Sequence, residues 1–303
     1  MTVTSVVAQK ERVAGRVPDV HFLPYPYPLR CPLGAGPASG QRCLEYVERM
    51  LRDPFGGIPR PAAMIVELVQ GEGGVIPAPT DFVQGLRRLT RELEIPLIAD
   101  EVQTGGGRTG SWFAFEQHGI EPDVIVASKA IGGMGMPVAI VIHDQRLDVF
   151  APGAHTGTFR GNQLAFAAGA ASVRIMMRDR ILDHVRELGA YALGALDEIA
   201  RDNEIVGEAR GSGLMLGLEM VDPLTSEPST RAATSVQRAA IERGLIVELG
   251  GRGNCVVRLT PPLNVSRGTL DQGLEILDSV VGKISVAGSR NDLFGSARAD
   301  ASL

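Results

Sequence analysis

Asp100 and Lys129 are the residues of this chain most suited to chemistry. Each follows a short apolar run. Residues 95–99 read Ile-Pro-Leu-Ile-Ala and end on Asp100 and Glu101, while residues 124–127 read Val-Ile-Val-Ala, launched by Pro122-Asp123, and end on Ser128 and Lys129. Aliphatic runs of four or five residues bounded by Pro and polar residues read as buried strands of a parallel sheet, with both faces covered by helices. Open α/β sheets bind ligands in the crevice outside the carboxyl ends of their strands, so both side chains are expected in one site. A lysine forms Schiff bases with carbonyl compounds when its surroundings lower its pKa. A carboxylate can hold the ring nitrogen of pyridoxal phosphate in its protonated form.

Other residues extend this site or compete with it. Arg258 sits in Val256-Val257-Arg258-Leu259, among buried neighbours. Its planar fork suits the carboxylate of an amino-acid or oxo-acid substrate; the alternative is a structural pair with Glu67, Glu72 or another acid. Glu67 lies inside an aliphatic run, and a buried acid costs several kcal/mol without a partner, so it is expected to have one. His155-Thr156-Gly157-Thr158 before a helix could offer hydroxyls and amides to a phosphate. Gly105-Gly106-Gly107-Arg108-Thr109-Gly110 satisfies GxGxxG, yet residues 100–104 separate it from the strand and Trp112-Phe113-Ala114-Phe115 follows. A dinucleotide fingerprint needs its glycines in the strand-to-helix turn itself, so a plain tight turn is preferred here to NAD or FAD binding. Gly132, Gly133 and Gly135 lack the Gly-Lys-Ser/Thr of a phosphate loop. The five histidines show no metal spacing, and neither HExxH nor Gly-x-Ser-x-Gly occurs.

The elements that must hold these groups follow from the pattern. Residues 1–7 are rich in β-formers and read as a strand remnant. The prolines at 18, 24, 26, 28 and 32 enforce an extended loop, which Tyr25, Tyr27 and Arg30 suit for packing on a site or a neighbour. Residues 41–52 have helical spacing and stop at the 53–57 turn, and 62–69 reads as a buried strand. Thr80 is the expected N-cap of a helix carrying Phe82, Leu86, Leu89 and Leu93, closed by Pro96, which completes a strand-helix-strand unit. Residues 137–142 read as a further strand, and 162–177 and 181–199 as helices. Past residue 206 the texture changes to short strands at 214–220, 245–248 and 255–259 around a helix at 234–243, an α+β pattern.

The totals bound the class of protein. A chain of 303 residues, 44% hydrophobic, can bury a large core, and such lengths usually divide in two. A net charge of −5 argues against nucleic acid or an anionic membrane as partner. Cys31, Cys43 and Cys255 are odd in number and lack CxxC spacing, which fits neither a disulfide framework nor a zinc site. No signal peptide or membrane-length apolar run is evident, so a cytoplasmic protein is expected.

Taken together the motifs match a family. Glu67 with Gln70-Gly71-Glu72-Gly73-Gly74, Asp100-Glu101-Val102-Gln103-Thr104-Gly105 with Gly107-Arg108-Thr109-Gly110, Ser128-Lys129-Ala130-Ile131-Gly132-Gly133, Gly157-Thr158-Phe159, and Arg258-Leu259 with Pro261-Pro262-Leu263 resemble the class III pyridoxal-phosphate aminotransferases in order and spacing. Residues 152–163 and the Tyr25-Pro26-Tyr27 loop with Arg30-Cys31-Pro32 resemble the branch of that family that uses diaminobutyrate and 2-oxoglutarate.

The resemblance implies an α/β fold of the type I pyridoxal-phosphate transferases: a mostly parallel sheet covered by helices, with a smaller α+β carboxyl-terminal domain. Residues 1–190 would form part of the large domain, 191–285 the small one and 286–303 a disordered tail. Lys129 would carry pyridoxal 5'-phosphate covalently and later move the substrate proton. Asp100 would pair with the ring nitrogen, Gln103 with the ring's 3-oxygen, and Glu67 would sit beside them. Thr158 would reach the phosphate held by the neighbouring subunit of a homodimer. Arg258 would clamp a substrate carboxylate, and Glu72 would close on Arg258 when the donor lacks that carboxylate. The implied reaction is amino transfer between L-2,4-diaminobutyrate and 2-oxoglutarate, giving aspartate 4-semialdehyde and glutamate. The alternatives are another class III ω-aminotransferase, acting on ornithine, acetylornithine or 4-aminobutyrate, or a non-catalytic remnant or partner subunit. Against the family pattern, the amino-terminal part with its aromatic-His-Gly motif and phosphate cup is missing, so weak cofactor retention and poor stability are expected unless a companion chain supplies it.

Overall fold

The computed structural model describes residues 3–4, 7–11, 19–133 and 135–289. In chain order it begins with α1 (Val7–Lys10), which meets the strand remnant expected over 1–7 only at Val7; residues 1–2 and 5–6 lie outside the described residues. Helix α2 (Ser39–Arg52) follows the proline-rich loop, then β1 (Met64–Glu67), β2 (Val69–Gln70), β3 (Ile76–Pro77) and α3 (Thr80–Glu92). Thr80 is the first residue of α3 and Pro79 occupies the cap position, so Thr80 is not the N-cap that its residue type suggests. The first half closes with β4 (Leu97–Asp100), β5 (Val124–Ala127) and β6 (Ile140–His143). Then come α4 (Gln163–Arg178), α5 (Ile181–Asp202), β7 (Val206–Ser212), β8 (Met215–Met220), α6 (Thr230–Glu242), β9 (Glu248–Gly250), β10 (Val256–Leu259) and α7 (Arg267–Ser289).

Contacts group the described residues into two units, one drawn from 1–64 and 78–95, the other from 65–77 and 96–303. The expected domain boundary at 190/191 falls inside α5, and α7 carries helix to Ser289, with 290–303 outside the described residues. In the first unit α2 packs on α3, and Val47, Cys43, Phe82, Val83, Leu86 and Leu89 are buried at helical spacing. Tyr25 meets Phe82 edge to face at 6.1 Å, which anchors the proline-rich loop on α3.

In the second unit the sheet order is β1-β4-β5-β6. Strands β4 and β5 run parallel with Asp100 opposite Val126, whereas β5 and β6 are antiparallel, so the sheet is mixed. It is not covered throughout. Ile65 on β1 and Val141 and Ile142 on β6 are exposed, and the strand expected over 62–69 is confined to 64–67. Asp123 fixes the β4–β5 register, since its Oδ2 accepts from Leu97 N at 2.8 Å while its own N donates to Leu97 O at 2.9 Å.

Residues 181–289 build the expected α+β layer. Its antiparallel sheet has the order β7-β8-β10-β9, and α5, α6 and α7 contribute Leu196, Val236 and Leu277 to the same core as Leu216, Leu218 and Val257. Strand β7 and helix α7, which the pattern does not announce, complete this layer, and the third strand falls at 248–250, not 245–248.

Candidate active site

Because β4 and β5 are parallel neighbours, Asp100 and Lys129 leave the sheet at the same edge. Asp100 is the last residue of β4, and Lys129 begins a short 3-10 helix two residues after β5 ends at Ala127. Asp100 Oδ1 accepts from Val102 N at 3.1 Å, which turns the chain away from the strand. Lys129 has φ 48°, a left-handed backbone that costs a side-chain-bearing residue about 1–2 kcal/mol. Such strain persists where the surroundings fix it. Here Ser128 Oγ donates to Val138 O at 2.8 Å and Ile131 N to Ser128 O at 3.1 Å.

Glu67, at the end of β1, faces the same region. Its Oε1 accepts from Gly71 N at 3.2 Å, the partner expected for a buried acid. Burial pushes its carboxyl up; Asp100 and Glu72 add to this, and the Gly71 bond and the charge of Lys129 oppose it. Glu67 thus lies within reach of the charges of Asp100, Glu72 and Lys129.

Arg258 lies on β10, buried, and has acid and amide partners within the chain. Nη1 donates to Glu72 Oε1 at 3.2 Å and Nη2 to Gln103 Oε1 at 2.9 Å, while Gln103 Nε2 donates to the same Glu72 Oε1 at 2.9 Å. The three side chains close a ring of hydrogen bonds. Glu248, directly across the β9–β10 ladder, stands 3.9 Å from Nη1. Partial desolvation works to raise Glu72, but the Gln103 bond, Arg258 and Lys129 outweigh it and hold the carboxyl below its ordinary range. A cleft of about 430 Å³ opens beside the ring, lined by Glu72, Gln237, Val247, Glu248, Leu249, Asn254 and Arg258.

Backbone economy makes this closeness feasible. A Cβ on Gly71 would fall 2.5 Å from the Gln103 amide, so only glycine leaves Gln103 its place. The glycine-rich stretch 105–110 is the tight turn read from its context. Gly106 has φ 69°, and its N donates to Trp112 O at 2.9 Å. Within this turn Arg108 Nη1 donates to Leu214 O at 3.1 Å and to Pro261 O at 2.6 Å, tying the loop after β4 to the layer that carries Arg258.

Thr158, expected to reach the phosphate held by a neighbouring subunit, lies in the exposed 151–161 loop. Glu248 was missed. The signal was its register: β9 falls three residues later than the apolar run implied, which sets Glu248 opposite Arg258. Among the described residues no group of His, Cys, Asp and Glu could hold a metal, and no helix is long and apolar enough to cross a membrane.

The donor set fits the ring end of pyridoxal phosphate: an amine and a carboxylate at one sheet edge, with an amide and a second acid beside them. Solved structures with this architecture are transaminases. The chain superposes on an amine transaminase from an uncultivated Pseudomonas species, in its PLP-bound form, with a TM-score of 0.85 at 27% identity over 93% of this chain and 66% of that one. Against Plasmodium falciparum ornithine δ-aminotransferase the TM-score is 0.71 at 32% identity, over 80% and 60%. The fold is therefore that of the type I transaminases. The Aminotransferase class-III family model matches residues 1–281, and the chain belongs to that family. It is 51% identical to the diaminobutyrate–2-oxoglutarate aminotransferase of Rhizobium meliloti over 87% of this chain and 57% of that protein. To the enzyme of the same name from Haemophilus influenzae it is 40% identical, over 95% and 65%. The chain thus spans less than two thirds of the length of either relative.

Proposed function

We propose that these residues serve amino transfer between L-2,4-diaminobutyrate and 2-oxoglutarate, yielding aspartate 4-semialdehyde and glutamate, with pyridoxal 5'-phosphate as cofactor. The observation that carries this is the closed ring of Arg258, Glu72 and Gln103 beside the edge where Asp100 and Lys129 emerge. The names of the relatives at 40–51% identity support the choice of substrates.

Pyridoxal phosphate, when bound, supplies an electron sink for the carbon that loses its proton. Lys129 Nζ would be the covalent anchor of the group, and its amine would move the proton of the substrate carbon. Asp100 would stabilise the protonated ring nitrogen, Gln103 would bond the ring's 3-oxygen, and Glu67 would stand beside them. In the dicarboxylate half of the reaction Glu72 leaves Arg258, whose fork then grips the carboxylate bidentately. With the diamine Glu72 returns, so that the guanidinium keeps a partner and one pocket serves both substrates.

Thr158 would act on the cofactor phosphate of a second copy in a homodimer. Exposed apolar side chains support such pairing: Val141 and Ile142 on β6, Phe150 and Phe159 in the loop, and Leu164 on α4 are all open to solvent. A companion chain could cover these side chains as well and supply phosphate-binding amides. A cytoplasmic setting matches the amino-acid chemistry.

Titration of the purified chain with pyridoxal phosphate tests the proposal. A visible absorbance band should appear, and Lys129→Ala should lack it. Product analysis should show aspartate 4-semialdehyde from diaminobutyrate in preference to the corresponding product from ornithine. A band without turnover would point to a partner subunit; no band would sink the assignment of Lys129.

A further inference from the structure

Cys31 and Cys43 look unrelated in the sequence, yet the fold brings their sulfurs to 3.6 Å. Both are free thiols in the core of the first unit, Cys43 wholly inaccessible and Cys31 with 6% of its surface showing. Their backbones are fixed by separate devices. Gly34 N donates to Cys31 O at 3.0 Å and closes the turn around Cys31, and Cys43 lies in the first turns of α2. The neighbouring Arg42 spans the gap by donating to Ala35 O at 2.9 Å and also to Gly34 O. A disulfide bond is about 2.05 Å long, so the two sulfurs must close by about 1.5 Å for a bond to form.

We propose that Cys31 and Cys43 are an oxidative modification site that forms an intrachain disulfide when the chain meets a peroxide. Cys31, the member with surface, reacts first. Its sulfur forms a bond to a peroxide oxygen, the O–O bond breaks, and water leaves with the thiol proton, giving a sulfenic acid. The Cys43 sulfur then attacks the Cys31 sulfur; the S–S bond forms, the S–O bond breaks, and the second thiol proton leaves in a second water. Two thiols are oxidised by two electrons and one peroxide is reduced. Burial, with the hydrogen bond to Cys31 as a further cause, pushes the Cys43 thiol up to about 12. Cys43 therefore stays protonated and inert towards outside reagents until an adjacent sulfenic acid presents itself. Proximity favours that internal closure over further oxidation of Cys31. The product would fasten the proline-rich loop to α2 by a covalent bond where Arg42 now holds it by hydrogen bonds.

Treating the intact chain with hydrogen peroxide, then counting thiols after denaturation, tests this directly. The expected result is a fall from three reactive thiols to one, with the loss of two hydrogens in the intact mass and full reversal by dithiothreitol. Trypsin cuts after Arg30, Arg42 and Arg49, so residues 31–42 and 43–49 should run as a linked pair without reductant. Cys255→Ser should leave the linkage unchanged, and Cys43→Ser should leave a sulfenic acid at Cys31 that dimedone traps. Three thiols persisting under peroxide, or a link through Cys255, would overturn the proposal without touching the assignment of Lys129.

Discussion

Arg258 Nη1 lies 3.2 Å from Glu72 Oε1 although 186 residues of chain separate them. The pair joins a buried cation on β10 to a largely exposed acid in the turn after β2, so the acid is the member free to move. Replacing Glu72 by Gln should leave stability within about 1 kcal/mol, because a pair with one exposed member contributes little. It should nonetheless tighten the binding of glutarate, an unreactive dicarboxylate, several-fold in calorimetric titration. Arg258→Met should abolish that binding, and equal glutarate affinity in Glu72→Gln and the parent chain would show that Glu72 does not gate Arg258.

Gly71→Ala separates position from stability. The added methyl would meet the Gln103 amide at 2.5 Å, and that flexible end can swing aside. The melting temperature should therefore fall by only a few degrees, corresponding to about 1 kcal/mol or less. Gln103 cannot swing and still bridge Glu72 to Arg258, so saturation with pyridoxal phosphate and with 2-oxoglutarate should each weaken several-fold.

Glu67 gives a pH dependence with a defined sign. Burial raises its folded pKa above the ordinary 4.5, so the folded state holds its proton where the unfolded state has lost it. Its contribution to stability is fully present below 4.5 and is lost as pH rises through the raised value. Glu67→Gln should flatten that part of the stability curve and leave the mutant relatively more stable at neutral pH, as urea titrations across pH 4–8 would reveal.

Arg210 anchors the turn that carries Glu72. It donates to Gly74 O at 2.7 Å and Val75 O at 3.0 Å, and pairs at 2.8 Å with Glu219, which is fully buried. Arg210→Met should cost about 3–5 kcal/mol in urea unfolding, since it removes the ion partner of a buried carboxylate. Adding Glu219→Gln should recover part of that loss.

Much of the site was legible because strand ends declare themselves. Residues 97–100 and 124–127 are apolar runs that stop on charge, and the structure places both stops at one edge. The spacing around Arg258 showed a buried guanidinium but not its partners, because Glu72 and Gln103 reach it through pairings far apart in sequence. Strand β7, Val-Gly-Glu-Ala-Arg-Gly-Ser, escaped notice because glycines and charges break its alternation; its Arg210 and Glu208 are inward-facing ion partners. Strand β6 is legible as an aliphatic run, but its exposure is not: Val141 and Ile142 are open to solvent. Composition alone does not say which aliphatic strand is covered.

Arg108 has a consequence for the length of molecule the cleft can accept. One guanidinium group fastens the loop beyond Asp100 to the carbonyls of Leu214 and Pro261, and Pro261 is only three residues past Arg258. The spacing between Asp100 and Arg258 is therefore set in part by a single side chain. If the two serve one substrate as proposed, loosening that tether, as in Arg108→Lys, would let the gauge drift and blur the distinction between donors of different length.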